Sequence, residues 1–259
     1  MSQDQQTPDA PRPVDAAPSP ASDAESASTP TAPVASATPQ RVMHPVAVGP
    51  WINPANLDTR IEWYNVFGND RPVVVDLGAG DGGFAAEMAK RHPDTNFLAV
   101  ERLLGRARKI ARAAEYNHIP NLKVLRLEAG FTVHYLFPAE SITTLYILFP
   151  DPWPKRRHWT RRIVQHPFMQ HVAEALKVGG VFRFRTDHAD YFQHALAVME
   201  KEHNFARLAE SELEPLPPTD FEQEFSKEGR TFHDAAWRRI KVASVNVTAS
   251  ERAAAGEAT

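Results

Sequence analysis

The chain has 259 residues, enough for one sizeable α/β domain or two small ones, and its 42% hydrophobic content is ordinary for a globular protein. It holds no cysteine, which excludes disulfides, thiolate metal sites and cysteine nucleophiles and fits a reducing compartment; no apolar stretch approaches a membrane span and no basic start precedes an apolar run, so neither a transmembrane segment nor a secretory leader is expected. The net charge of −3 resides in the first 45 residues, which carry five acids and two arginines, whereas the remainder holds 27 basic and 27 acidic groups, with basic clusters at 102–112 and 155–162, so local fields rather than the total should steer an anionic partner.

Residues 1–45 are rich in Ala, Pro, Ser, Thr and Asp. They carry too few large apolar side chains to offset the entropy of ordering, which predicts a disordered tail. A single domain is expected over 46–247 and a flexible end over 248–259. Within the domain, strand-like and helix-like segments alternate, the pattern of a βαβ sheet. VVVDL (73–77) is continuously apolar up to its acid and reads as a strand buried on both faces. A helix over 81–91 follows, then a strand at 96–101, a basic helix over 103–116, and strands at 122–127 and 143–149. Pro167 suits a first helical turn, and Gly179-Gly180 marks a helix end before a strand at 181–186. A helix through about 201 and two edge strands, NFARLAE and AWRRIKVASV, complete a mostly parallel, seven-stranded α/β sheet of Rossmann-like type with helices on both faces.

DLGAGDGG (76–83) lies between the first strand and its helix. Gly78, Gly80 and Gly83 match G-x-G-x-x-G, and Glu101 closes the next strand, where an acid commonly accepts hydrogen bonds from ribose hydroxyls. An adenosine-containing cofactor is expected. Asp76, just before the glycines, would repel a pyrophosphate but suit a cofactor with a cationic, amino-acid tail. This favours S-adenosylmethionine over NAD, although Asp76 also reads as a turn cap. Glu128, closing the third strand, is placed either to meet an adenine amine or as a plain surface acid.

FPDPWPKRRHWTRR (149–162) puts a carboxylate, an indole and five Lys/Arg side by side at the end of a buried strand. Asp151 falls where open α/β sheets bind ligands. Pro150 and Pro152 remove two backbone donors. Trp153 reads either as a platform for an unpaired base or as a core plug at the sheet end. No acid occurs from Lys155 to Gln170, so Arg156, Arg157, Arg161 and Arg162 are expected to hold RNA phosphates. The eleven histidines form no ligand-spaced cluster, no metal is expected, and His166 and His171 read as helix-surface residues.

Together with RTDHADYF (185–192) and TDFEQEFSKEGRTF (219–232), these motifs resemble the tRNA (guanine-N7-)-methyltransferase family, in its bacterial single-subunit form, over roughly residues 60–240. The resemblance implies a class I S-adenosylmethionine-dependent methyltransferase that forms 7-methylguanosine in the variable loop of tRNA. It implies that Asp76, Glu101, Glu128 and Asp151 contact the cofactor alongside Gly78 and Gly80, that Asp151 is the catalytic position, and that Lys155, Asp187, Thr219 and Glu222 bind the target nucleotide. It further implies a cytoplasmic enzyme with tRNA as partner and no obligate protein subunit. The family usually has glutamate at Asp76, aspartate or asparagine at Glu128, and proline at Val178; the first two differences change reach by one methylene. Other readings are an amino-methyltransferase of the D-P-P-Y kind acting on adenine or cytosine, an NAD-binding oxidoreductase, and a tRNA-binding module without catalysis.

Overall fold

The first strand of the sheet interior explains the layering. Val73–Leu77 (β2) is buried at every position; Val73, Val75 and Leu77 point into one apolar layer and Val74 into the other, as the two-residue period of a strand requires. The computed structural model describes residues 49–54, 57, 59–219, 221–222 and 231–240. The expected tail, the expected C-terminal end, the limits of the domain and the second half of AWRRIKVASV lie outside the described residues.

Among the described residues eight strands form the sheet: β1 (Trp51–Ile52), β2, β3 (Asn96–Val100), β4 (Leu122–Leu125), β5 (Ile142–Leu148), β6 (Leu176–Thr186), β7 (Phe205–Arg207) and β8 (His233–Arg239). Their spatial order is β1-β4-β3-β2-β5-β6-β8-β7. Pairings from β1 to β6 are parallel, and β8 runs antiparallel to both β6 and β7. Seven strands correspond to the predicted ones. β1 is an addition; two residues carry no periodicity by which a sequence could announce them.

The helices cover both faces. On one, α2 (Gly83–Arg91) buries Phe84, Ala85, Met88 and Ala89, two adjacent pairs one turn apart, and α3 (Leu104–Tyr116) buries Ala107, Ile110, Ala111 and Ala114, the i, i+3, i+4, i+7 spacing of a helical stripe. They pack on Val74, Phe97, Ala99, Val124 and Tyr146. On the other face, α1 (Trp63–Phe67), α5 (His166–Ala175) and α6 (Ala189–Met199) pack on Val73, Val75, Leu98, Ile147, Phe182 and Phe184. A short helix, α4 (Ala129–Phe131), continues into a π-turn at Thr132–Leu136. Among the described residues no helix is long and apolar enough to cross a membrane.

Two expectations need correction. The helix carrying Pro167 ends at Ala175, and the chain enters β6 at once, at Leu176. Gly179-Gly180 is therefore no helix cap. Ile142 faces Leu176 and Thr144 faces Val181, so residues 177–180 bulge from the ladder. A Cβ on Gly180 would stand 2.8 Å from the Lys177 carbonyl oxygen and 3.0 Å from that of Thr143, which only glycine avoids. Second, the helix after β2 starts at Gly83 rather than Asp81, with Gly82 as its cap at φ 86°.

Candidate active site

Strand order reverses between β2 and β5, whose outward neighbours are β3 and β6. At such a switch point the loops diverge and leave a crevice at the carboxyl ends of the strands. A cleft of about 530 Å³ opens there, lined by Leu77, Gly78, Val100, Glu101, Glu128, Asp151, Trp153, Arg161 and Phe221 among others, a volume suited to a small ligand.

The glycine loop forms one wall. The N–H groups of Gly78 and Ala79 both donate to the Val100 carbonyl, at 2.8 and 3.1 Å. Glu101, 6% exposed, accepts from Gly80 N through Oε2 at 3.0 Å and from Leu103 N through Oε1 at 2.7 Å. These loop donors are thus used internally, and a pyrophosphate here would meet the Glu101 carboxylate in place of them. Each Glu101 oxygen keeps a lone pair for a ribose hydroxyl. Gly78, at φ 77°, leaves open space where a Cβ would stand, so a ligand can pass close to its backbone. This wall fits S-adenosylmethionine, which brings ribose hydroxyls and positive charge but no phosphate.

Asp76 lies behind the cleft wall rather than on it. It is 5% exposed, and burial, reinforced by the charge of Glu101, raises its pKa to about 7. Glu128 reaches the cleft, but its two oxygens also cap α4 through Gly130 N at 2.9 Å and Phe131 N at 2.7 Å. Of the glycine triplet, Gly78 meets the cleft and Gly80 is buried next to the Phe221 ring. The third constrained glycine is Gly82, not Gly83: a Cβ on Gly82 would collide with Ile110 Cγ1.

The opposite wall is the DPWP turn. β5 stops at Leu148, so Asp151 sits beyond the strand end, exposed and facing the cleft. Phe149 and Trp153 flank it in left-handed conformations, φ 53° and 46°, unusual for aromatic residues and costly unless the surroundings enforce them. Trp153 is half-buried in the cleft wall, with the Arg161 guanidinium 4.9 Å from its ring centroid. Lys155, Arg156, Arg157 and Arg161 are exposed along the following 3₁₀ turn, Arg156–Arg161.

The family model described as "Putative methyltransferase" matches residues 70–235. The tRNA (guanine-N(7)-)-methyltransferase of Vibrio cholerae (strain M66-2) is 39% identical over 186 residues, covering 69% of this chain and 77% of that protein. That of Nitrosomonas europaea is 33% identical over 189 residues, covering 72% and 82%. This chain belongs to the tRNA (guanine-N7-)-methyltransferase family. Among solved structures, the 16S rRNA methyltransferase KamB aligns with a TM-score of 0.48 at 20% identity, over 66% of this chain and 88% of that one.

Not every residue singled out by the resemblance to tRNA (guanine-N7-)-methyltransferases reaches the cleft. Asp187 is half-buried between β6 and α6. Thr219 and Glu222 are buried and cap each other: Thr219 N donates to Glu222 Oε2 at 2.7 Å, and Glu222 N to Thr219 Oγ1 at 3.1 Å. Glu222 Oε1 takes Arg185 at 2.5 Å. Between them Phe221 lines the cleft; the aromatic position of the TDFE motif was the signal for it. Arg162 corrects the expected phosphate set. It is 1% exposed, held by Pro152 and Asp190, and out of reach of a surface phosphate. The two helix-surface histidines are also engaged: His166 Nδ1 lies 2.8 Å from Glu202 Oε1, and His171 Nδ1 lies 3.0 Å from His134 Nδ1. Among the described residues no group of three or more His, Asp or Glu side chains is arranged to hold a metal.

Proposed function

We propose that this chain transfers the methyl group of S-adenosylmethionine to N7 of a guanine in the variable loop of tRNA, in the cytoplasm. The observation that carries this is one continuous cleft. Its wall runs from the Glu101-braced glycine loop to Asp151 and Trp153, and an acid-free turn of exposed arginines follows directly in the chain. Family membership supplies the base and the atom.

When bound, S-adenosylmethionine supplies a methyl group on a cationic sulfur. Guanine N7 has an in-plane lone pair and no proton, so no side chain has to act as a base, and positioning dominates the rate. Glu101 and the Gly78 backbone hold the donor side of the cleft. Trp153 offers a face on which the base can stack. Asp151 fixes the base by accepting from its N1–H and amino group, and stabilises the positive charge that develops on the ring. Lys155, Arg156, Arg157 and Arg161 hold the phosphates on either side.

The test is methyl transfer from labelled S-adenosylmethionine to unmodified tRNA, followed by nucleoside analysis. 7-Methylguanosine is expected with the wild type, and Asp151→Ala is expected to lower the single-turnover rate on the order of a hundredfold or more while leaving tRNA affinity in place. A different methylated nucleoside would overturn the guanine assignment.

A further inference from the structure

The sequence groups Arg162 with the phosphate-binding arginines, but its side chain is 0% exposed. Nε donates to the Pro152 carbonyl at 2.9 Å, and Nη2 to Asp190 Oδ2 at 2.8 Å. The guanidinium lies between two rings, 4.6 Å from the centroid of Trp159 and 4.8 Å from that of Tyr191. Its backbone N–H closes the 3₁₀ turn on the Trp159 carbonyl at 3.0 Å. One side chain therefore joins the Asp151 turn, the basic turn and the start of α6, the segment that follows Asp187.

The Asp151 turn needs such an anchor. Pro150 and Pro152 have no N–H, so the turn has few backbone donors to fix it; the Phe149 N–H holds its start on the Arg185 carbonyl at 2.7 Å, and beyond that point carbonyls and side chains carry more of the anchoring. Its flanking residues, Phe149 and Trp153, hold φ values of 53° and 46°, a conformation that persists only where neighbouring contacts enforce it. The bond to Pro152 falls between Asp151 and Trp153. We propose that Arg162 is a positioning residue that fixes Asp151 and Trp153 relative to the N-terminus of α6, and does not bind tRNA phosphate. The proposal deepens the methyl-transfer reading above and rests on it. Lysine cannot replace the arginine here, because a single ammonium cannot lie flat between two rings while its donors fork to a carbonyl and a carboxylate.

The experiment compares wild type, Arg162→Lys and Asp190→Ala. Single-turnover methyl transfer and the salt dependence of tRNA binding are measured, together with fluorine NMR of protein carrying 5-fluorotryptophan, the Trp153 resonance being assigned with Trp153→Phe. Arg162→Lys is expected to slow single turnover on the order of a hundredfold, as a displaced reacting geometry does. The salt slope of tRNA binding should stay unchanged and the Trp153 resonance should move, while those of Trp63 and Trp237 stay in place. Asp190→Ala, at a half-exposed side chain, should give a smaller loss, about tenfold, with the same resonance moving; this variant decides the matter if Arg162→Lys disturbs the whole fold. Because lysine keeps the charge, a charge-removing variant, Arg162→Gln, tests phosphate binding: a wild-type rate with a salt slope reduced by roughly 0.7–0.9 would make Arg162 a phosphate ligand and overturn the proposal. Wild-type rates and an unmoved Trp153 resonance in both Arg162→Lys and Asp190→Ala would also overturn it. Failure of the wild type to form 7-methylguanosine would sink the methyl-transfer reading instead, with the Trp153 resonance still reporting on the anchor.

Discussion

Asp76 is an acid held in the interior at the end of β2, and burial together with the neighbouring charge of Glu101 puts its pKa at about 7. A bound cationic donor favours its ionised form, so cofactor binding should release a proton below neutrality. Affinity should then fall by up to tenfold for each pH unit below 7, to the extent that binding requires the carboxylate. Titrating S-adenosylmethionine into wild type and Asp76→Asn between pH 5.5 and 8.5 checks this: the variant should lose that part of the slope. The same shift acts on folding with a definite sign. The unfolded chain gives up this proton near 3.8, the folded chain near 7, so stability declines as pH rises through that window, by roughly 4 kcal/mol from this group alone. In the absence of cofactor, Asp76→Asn should therefore be the more denaturant-resistant protein at pH 8. The glycines give a second residue-scale contrast. Gly82→Ala meets both a positive φ and the side chain of Ile110, and should cost roughly 3 kcal/mol in urea unfolding. Gly83→Ala, at an exposed first helical position, should change stability by less than about 1 kcal/mol.

At the scale of elements, the segment carrying Thr219 and Glu222 is tied to the sheet by a buried charge network. Arg183 and Arg185 of β6 share Asp234 of β8, at 2.6 and 2.5 Å, and Arg185 also takes Glu222. Burial alone would push the Asp234 pKa up, but the hydrogen bonds from the two arginines outweigh it and hold the carboxyl below its usual range. Removing one member leaves an uncompensated charge inside. Glu222→Ala should lower unfolding stability by about 3 kcal/mol, and weaken activity through the displaced Phe221. Unchanged stability with only a raised KM for tRNA would instead favour direct nucleotide contact by Glu222. The strands and the long helices were readable because their apolar spacing repeats over several residues. β1 is too short to repeat, and the Gly179-Gly180 bulge looks like a helix end until the Lys177 and Thr143 carbonyls beside Gly180 are seen. Likewise, a sequence shows that Arg162 is an arginine in a basic run; only the packing of Trp159, Tyr191 and Asp190 around it reveals that it faces inward.

For the whole molecule, the question is which of two basic clusters meets the polyanion. The cluster at 102–112 is partly neutralised, since Asp81 pairs with Lys109 at 2.8 Å and with Arg106 at 3.7 Å. In the turn at 156–161 the arginines stay exposed, and Asp190 is committed to Arg162. With a domain that is neutral overall apart from the acidic first 45 residues, attraction for tRNA has to come from this local field, which salt screens. Replacing Arg156, Arg157 and Arg161 together by alanine should therefore reduce the slope of log affinity against log salt by roughly 2 to 3, at 0.7–0.9 for each phosphate no longer neutralised. Fold stability should be little affected, because all three side chains are exposed. The measurement is tRNA binding from about 50 to 200 mM salt, the range over which counterion release is large. An unchanged slope would move the tRNA-binding surface away from this turn, toward the unpaired part of the 102–112 cluster. A slope reduced by the equivalent of one phosphate would mean that a single arginine meets the RNA backbone and that the others serve the turn itself, as the stacking of Arg161 on Trp153 already allows.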